Sequence, residues 1–300
     1  MSETARLDTA GTIITEDLLP GIRVVLQDET RYASGSHKEP AAHAVVAAAR
    51  ADGHDRVVVG SCGNYGKAMA QAAAAGGLRC TVVLPEDWND GGAFIAAVGA
   101  EVHFVPGGYE DAVDAARTLA RQTGAADGNV DGPYESAVLD GHGDVVHALH
   151  RALAGEPASL WLPVGNGTTA VALHRRLREV AWAVPLHGVG SPGNNPVVTS
   201  WPGPYRALPP DAPVTTVHNE PLVNWHSLHG PQAMSAFAES RGAVHEADDD
   251  ELLAAQAVLE AHGVRASASG AAGLAGLVRH VRRAGTGGVD ENHIVLVTGL

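Results

Sequence analysis

Lysine is the residue type that this sequence conspicuously lacks. The chain has 300 residues and 20 basic side chains, but only Lys38 and Lys67 are lysines and all the others are arginines. Arginine stays protonated in a protein, whereas a lysine amine can lose its proton and become a nucleophile. The two lysines are therefore candidates for a chemical function that arginine cannot perform.

Other shortages exclude whole classes of function. A net charge of −14 disfavours a nucleic-acid partner or an anionic membrane surface, and no apolar run reaches the roughly 18 residues of a spanning helix. Cys62 and Cys80 are too few for a disulfide framework, which fits a reducing compartment. Residues 1–21 lack a basic region followed by an apolar stretch, so we expect no signal peptide and a cytoplasmic protein.

Short β-branched runs alternate with alanine-rich segments along the chain. Residues 55–60, "DRVVVG", indicate a buried strand, and the alanine-rich helix after them ends at glycines. The same alternation resumes beyond residue 130, where "SLWLPVG" precedes the helical pattern "TTAVALHRRLREVA". Strands separated by helices of this length predict an α/β fold with parallel, doubly wound sheets, in two regions that meet near residue 130.

Two glycine-rich loops each connect a predicted strand to a predicted helix. Such a loop brings backbone N–H groups together at the positive end of a helix dipole, which favours an anion. The first, "GSCGNYGKA", is similar to a nucleotide-binding P-loop. However, five residues separate Gly60 from Gly66 where that motif has four, and Ala68 stands in place of its metal-binding hydroxyl. We therefore reject the P-loop interpretation.

The second loop, "PVGNGTT", adds two hydroxyl groups to its glycines. Thr168 and Thr169 together with backbone amides could donate several hydrogen bonds to a phosphate monoester. A tight turn with two capping threonines would have the same sequence. The loop by itself is compatible with both interpretations.

These motifs, in this order, resemble a known family. "SGSHKEPAA", "SCGNYG", "PVGNGTT" and "VLVTG" are similar to segments of the pyridoxal-phosphate enzymes with the tryptophan synthase β-like fold (fold type II), closest to threonine synthases. The resemblance implies two doubly wound α/β domains. It implies a larger cofactor-binding domain formed by residues 1–40 and 131–300, and a smaller domain, 41–130, that carries the substrate loop.

The resemblance also assigns roles to particular residues. Lys38 would be the catalytic residue and would form the Schiff base with the cofactor, pyridoxal 5'-phosphate. The other cofactor-binding residues would be Asn64, Gly165, Asn166, Gly167, Thr168, Thr169 and Thr298. The substrate-binding residues would be Ser61, Cys62, Gly63, Tyr65 and Lys67.

Some of these assignments have simpler alternatives. Lys67 would contact an anionic leaving group or would be a solvated surface lysine, and Cys62 would have a lowered thiol pKa or no role in the reaction. Tyr134 and Glu135 lie where related enzymes have residues that contact the substrate. Residues 218–230 would cover the active site or form a surface loop. We expect no metal site, because the histidines near residue 145 do not share one helix face.

The resemblance implies a lyase that performs β- or γ-elimination or replacement on an amino acid, in the manner of a threonine synthase acting on an O-phospho substrate. His37, Glu39 and Pro40 depart from the Phe-Lys-Asp-Arg-Gly sequence usual around the lysine, which indicates a specialised substrate. The alternatives are β-replacement in the style of cysteine or diaminopropionate synthases, and deamination in the style of serine/threonine dehydratases. A cofactor-free binding protein is the non-enzyme alternative. The expected partners are a small amino-acid substrate and a second copy of the chain in a homodimer.

Overall fold

The structure is a computed structural model, and it describes residues 11–19, 21–61, 63–86, 92–284 and 292–300. The chain divides into two compact units. The larger unit contains residues up to Arg31 and from Gly143 to Leu300, and the smaller unit contains Tyr32–His142. Segments 32–40 and 131–142 thus belong to the smaller unit, whereas the sequence-based division assigned them to the larger domain. Close packing explains part of this difference, because a Cβ atom on Gly141 would lie 2.4 Å from the Ala41 backbone.

The strands and helices alternate along most of the described chain. The strands are β1 (Thr12–Leu19), β2 (Ile22–Asp28), β3 (Arg56–Gly60), β4 (Arg79–Pro85), β5 (Glu101–Val105), β6 (Ala126–Asp127), β7 (Ser159–Pro163), β8 (Leu186–Gly190), β9 (Ala243–Glu246) and β10 (Asn292–Val297). The α-helices are α1 (Glu39–Ala51), α2 (Asn64–Gly76), α3 (Ala93–Ala97), α4 (Tyr109–Thr123), α5 (Glu135–Ala152), α6 (Thr168–Glu179), α7 (Pro196–Ser200), α8 (Gly230–Glu239), α9 (Asp249–Ala261) and α10 (Ala272–Ala284). Within the described ranges, none of these helices is long and apolar enough to cross a membrane.

The larger unit is built on a six-stranded sheet with the order β1-β2-β10-β7-β8-β9. Strand β1 pairs antiparallel to β2, and the remaining neighbours are parallel. Successive residues of a strand point to opposite faces of the sheet. Accordingly, Val295 and Val297 pack against α9 and α10, whereas Ile294 and Leu296 pack with α6 and α8. Helices therefore cover both faces of this sheet.

The smaller unit repeats this arrangement on a four-stranded parallel sheet with the order β5-β4-β3-β6. Val57 and Val59 of β3 face α1 and α2, whose contact surface consists largely of alanine. Val58 points to the opposite face and packs on α4. The predicted α/β fold with doubly wound parallel sheets is confirmed, because strand alternation and helical packing agree in both units.

Candidate active site

The loop of residues 165–169 joins β7 to α6 in the larger unit. Gly167 caps the helix with φ of +82°, a conformation that residues with a side chain rarely adopt. A Cβ atom on Gly165 would lie 2.6 Å from the carbonyl oxygen of Pro221, so only glycine fits there. Thr168 begins α6, where the first N–H groups have no acceptor within the helix. The loop therefore presents backbone donors and hydroxyl groups at a helix N-terminus, a suitable site for a phosphate.

Side chains from distant parts of the larger unit fix this loop. Asn195 Nδ2 donates to the carbonyl oxygen of Gly165 at 3.1 Å, and Ser227 Oγ donates to the same oxygen at 3.3 Å. The Leu228 N–H donates to Asn166 Oδ1 at 3.3 Å. Residues 227 and 228 belong to the irregular segment 218–230, so part of that segment supports the glycine loop. The side-chain oxygen of Asn166 is accordingly used within the protein.

Thr298 immediately follows β10, which is the neighbour of β7 in the sheet. Because β7 and β10 are parallel, their carboxyl ends lie at the same edge of the sheet, so Thr298 and the 165–169 loop share this edge. Thr298 is 7% exposed, and its N–H donates to the carbonyl oxygen of Gly270 at 3.3 Å. The larger unit therefore brings its predicted cofactor residues to a single edge.

Lys38 lies at the N-terminus of α1 in the smaller unit and is partly buried. Its N–H donates to Ser36 Oγ at 3.2 Å. The neighbouring Glu39 is buried and accepts from the Ser34 N–H at 2.6 Å. Burial tends to raise the pKa of Glu39, but the hydrogen bonds from His43 and Ser34 outweigh it and lower this pKa. An ionised Glu39 thus closes the turn that carries the lysine.

Ser61 organises the predicted substrate loop between β3 and α2. Its Oγ accepts from the Gly63 N–H at 3.1 Å and from the Gly66 N–H at 2.8 Å, and the side chain is 2% exposed. The next donors along the helix, the N–H groups of Asn64 and Tyr65, belong to the first turn, where an intrahelical acceptor is lacking. Among the described residues of the loop, these two amides are the backbone donors available to an anion such as a carboxylate.

Lys38 and the predicted substrate loop lie at the same end of a helix pair. Arg50 in the last turn of α1 donates to the carbonyl oxygen of Gly76, the last residue of α2, at 3.3 Å. Both helices contain 13 residues, and their alanine-rich faces pack together. Their N-termini, which carry Lys38 and Asn64, therefore lie at the same end of the pair.

The side chains of Tyr65 and Lys67, two of the predicted substrate residues, have different surroundings. Tyr65 is 6% exposed and its hydroxyl donates to the carbonyl oxygen of Gly128 at 3.0 Å, so its side chain belongs to the core and only its backbone faces the loop. Lys67 Nζ lies 5.6 Å from the centre of the Phe94 ring. Cys62 lies outside the described residues.

Tyr134 lies far from the lysine within the smaller unit. Its hydroxyl donates to Asp52 Oδ2 at 3.1 Å, and Asp52 caps the C-terminus of α1. Lys38 precedes the other end of that helix, which is about 20 Å long at 1.5 Å per residue. The prediction that Tyr134 contacts the substrate is therefore wrong. Tyr134 instead has a structural role. Burial, followed by the hydrogen bond to Asp52 and the charge of that carboxylate, raises the pKa of its hydroxyl.

The sequence did not indicate His229, which contacts the phosphate-type loop. Its Nδ1 lies 3.0 Å from Thr168 Oγ1, and its N–H donates to the Asn166 carbonyl oxygen at 2.9 Å. The only available signal was the polar, irregular character of residues 218–230, and that signal does not single out one histidine. Among the described residues, no group of three or more histidine, cysteine, aspartate or glutamate side chains has an arrangement that could hold a metal ion.

Residues 16–299 match the family described as "Pyridoxal-phosphate dependent enzyme". This span includes both glycine loops, Lys38 and Thr298. The chain belongs to this family. Its cofactor is therefore pyridoxal phosphate, and the residues present fit that group. A partly buried lysine can bind the aldehyde, and a glycine-rich helix N-terminus with two threonine hydroxyls suits a phosphate dianion.

Individual relatives agree with this membership. The threonine synthase of Halalkalibacterium halodurans is 28% identical over 269 residues, which are 87% of this chain and 73% of the relative. The processed form of threonine deaminase isoform 2 from Solanum lycopersicum has a TM-score of 0.82 at 19% identity and covers 97% of this chain and 83% of its own. Serine racemase from Dictyostelium discoideum has a TM-score of 0.81 at 18% identity, with coverages of 97% and 92%. These structural likenesses show the shared fold.

Proposed function

We propose that this enzyme is a lyase that catalyses β- or γ-elimination or replacement on an amino acid carrying an O-phospho leaving group. The observation that carries the proposal is the similarity to a threonine synthase along 87% of the chain. The N-terminus of α2 supports an amino-acid substrate, because it can bind the carboxylate while the 165–169 loop is left to the cofactor phosphate. When bound, pyridoxal phosphate withdraws electrons from the attached amino acid and stabilises the charge left by a departing α-proton.

Lys38 is the residue that we propose attaches the cofactor and then transfers the α-proton of the substrate. Both tasks need an amine that can exist in its neutral form, which arginine cannot provide. The Ser34–Glu39 hydrogen bond and the packing of α1 hold the backbone around this lysine. The lysine can therefore act as nucleophile and base from a single fixed position.

The substrate carboxylate would bind at the N-terminus of α2. The N–H groups of Asn64 and Tyr65 are the donors there, and the helix dipole favours a negative charge. Ser61 holds the loop in shape by accepting two backbone hydrogen bonds. Because Asn64 and Gly63 lie in this same loop, we also propose that Asn64 contacts the cofactor and that Gly63 contacts the substrate. For Cys62 we propose only that it is part of this loop.

Thr298 would contact the pyridine nitrogen of the cofactor. A threonine hydroxyl carries no charge, so it would leave that nitrogen largely unprotonated and the ring a weaker electron sink. A weaker sink favours expulsion of a leaving group from the side chain of the substrate. This residue type supports elimination or replacement over reactions that need a long-lived carbanion.

Lys67 is the candidate for contact with the leaving group. It lies in the first turn of α2, and its amine is held near the Phe94 ring. We propose that it distinguishes an O-phospho from an O-acetyl amino acid. Lys67→Gln should raise the KM for the O-phospho substrate about tenfold and leave the KM for the O-acetyl substrate unchanged, as expected for loss of a charge-assisted hydrogen bond. Equal effects on both substrates would contradict this role.

The two-lysine composition gives an unusually direct test of the main proposal. The purified enzyme should absorb visible light from its bound cofactor, and borohydride reduction followed by peptide mapping should locate the cofactor on Lys38. Lys38→Ala should remove both signals, whereas Lys67→Ala, the matched control, should retain them. A colourless wild-type protein that binds no pyridoxal phosphate would refute the proposal.

Product analysis separates the possible reactions. Wild-type enzyme given O-phospho-homoserine, O-phosphoserine and their O-acetyl counterparts should release phosphate from the O-phospho compounds. Release of ammonia from serine or threonine without phosphate release would favour a dehydratase. A thiol- or amine-dependent product would favour a cysteine or diaminopropionate synthase-like β-replacement, and inversion of the α-carbon alone would exclude a lyase.

The homodimer is a prediction from the resemblance, and the cytoplasmic location is a prediction from the cysteine content and the N-terminal sequence. We propose a homodimer in the cytoplasm. Sedimentation velocity should give a single species of twice the 30.8 kDa chain mass. A monomer at micromolar concentration would contradict the dimer, and cell fractionation would test the location.

A further inference from the structure

Thr168 and His229 meet where the 165–169 loop opens into α6. Thr168 Oγ1 lies 3.0 Å from His229 Nδ1, although 61 positions separate the two residues in sequence. Thr168 is 7% exposed and His229 is 2% exposed. Buried polar groups lose their hydrogen bonds to water and therefore need partners within the protein. This contact is thus a buried part of the loop and not a chance encounter at the surface.

The backbone fixes His229 against the loop. Its N–H donates to the carbonyl oxygen of Asn166 at 2.9 Å, and its own carbonyl oxygen accepts from the Ala233 N–H at 2.8 Å in the first turn of α8. A Cβ atom on Gly167 would lie 3.1 Å from that carbonyl oxygen. The backbone of His229 is therefore tied to the loop, and from this position its imidazole reaches Thr168.

The chemistry of the ligand determines the direction of the hydrogen bond. A threonine hydroxyl has one hydrogen to donate, and a phosphate dianion offers only acceptor oxygens. If Thr168 binds the phosphate, its hydrogen must point to the phosphate, and its oxygen must then accept from His229. We propose that His229 carries a hydrogen on Nδ1 and donates it to Thr168, so that the Thr168 hydroxyl is oriented as a donor to the cofactor phosphate. His229 is a positioning residue, and the inference rests on the proposed phosphate-binding role of the loop.

Cofactor affinity gives a readout that does not depend on activity. The cofactor-free protein is titrated with pyridoxal phosphate and, as a control, with pyridoxal, which lacks the phosphate. Thr168→Val should weaken pyridoxal phosphate binding roughly ten- to a hundredfold, because it removes a hydrogen bond to a charged group. His229→Leu should weaken it about five- to tenfold, and the double variant should be no weaker than Thr168→Val alone, since both changes remove the same interaction. Pyridoxal should bind all variants as it binds wild type.

Two further variants distinguish orientation from packing. In His229→Asn, the amide nitrogen of the new side chain lies close to the position of Nδ1 in the native histidine. In His229→Gln, the amide nitrogen lies closer to the position of Nε2. His229→Asn should therefore keep the pyridoxal phosphate affinity within about threefold of wild type, and His229→Gln should behave like His229→Leu. A packing role would produce the opposite order, because glutamine fills more of the volume of the histidine. Urea unfolding of each variant verifies that it is folded.

The outcomes separate the inference from the proposed function. If wild type binds no pyridoxal phosphate, or if Thr168→Val binds it normally, the phosphate role of the loop fails and the inference fails with it. If Thr168→Val binds weakly while His229→Leu binds like wild type, the inference alone is overturned. Failure of His229→Asn to bind better than His229→Gln overturns it as well.

Discussion

Two histidines in the larger unit should make the protein sensitive to acid. His187 Nδ1 lies 2.9 Å from His245 Nε2, across the neighbouring strands β8 and β9. The His187 ring stacks on the Trp161 indole, with 4.2 Å between ring centres and 11° between planes. The pair is partly buried, so protonation would place a positive charge where solvation is poor.

Burial and neighbouring positive charges lower both pKa values. Burial is the larger cause in each case, and it lowers the pKa of His187 to about 3 and that of His245 to about 4. Electrostatic repulsion within the pair and from surrounding groups adds to this effect. Those surrounding groups are His280, His293, Arg279 and Arg283. Arg279 in turn forms ion pairs with Glu246 and Glu251.

The cost in stability follows from proton binding by the unfolded chain. An unfolded histidine has a pKa of about 6.5, so at pH 5 each of the two is protonated in the unfolded state and neutral in the native state. The unfolded state then binds more protons, and the free energy of unfolding falls as the pH drops from 7 through 6.5 toward the native values. Between pH 7 and pH 5 the loss is about 1.9 kcal/mol per histidine. We halve it for partial solvation and expect about 2 kcal/mol for the pair.

Urea unfolding followed by circular dichroism at pH 7 and pH 5, with a fixed excess of pyridoxal phosphate, measures this loss. A double variant, His187→Phe with His245→Phe, keeps rings beside Trp161 but cannot titrate. Its loss between the two pH values should be about 2 kcal/mol smaller than that of wild type. His262→Phe, at an exposed position, is the matched control and should behave like wild type. Identical pH dependence of the double variant and wild type would refute the reasoning.

Two substitutions and one labelling experiment test other parts of the structure. Ser61→Ala removes an oxygen that accepts two backbone N–H groups, and should lower the free energy of unfolding by about 1–2 kcal/mol in urea; an unchanged value would contradict the capping role. Gly167→Ala should weaken pyridoxal phosphate binding, and it should lower the free energy of unfolding by more than Gly193→Ala does. Both glycines have positive φ, but only at Gly167 would the new Cβ lie 2.7 Å from the Ala233 side chain, whereas nothing lies within 4 Å at Gly193; equal effects would contradict the steric argument. Burial, followed by the charge of Glu101, raises the pKa of Cys80 to about 12, so iodoacetamide should leave this thiol unmodified in the native enzyme and modify it in urea, as mass spectrometry can determine.

Local sequence patterns were sufficient for much of the architecture. Valines at successive positions of β3 predict a strand buried on both faces, and α1 and α2 indeed cover one face while α4 covers the other. The glycine loops and the isolated Lys38 could also be recognised, because a tight strand-to-helix turn and a reactive amine each require a particular residue type. In contrast, the β1–β2 hairpin at the edge of the larger sheet was not predicted.

What the sequence by itself determined was the fold class, the cofactor family and the residue types that surround the proposed site. Only the tertiary structure decided which side chains meet. The Tyr65 hydroxyl donates to the Gly128 carbonyl oxygen, the Tyr134 hydroxyl donates to Asp52 at the far end of α1, and His229 contacts Thr168. Each of these contacts joins residues more than 60 positions apart. Their formation depends on how strands and helices pack, and no local pattern of residues encodes that packing.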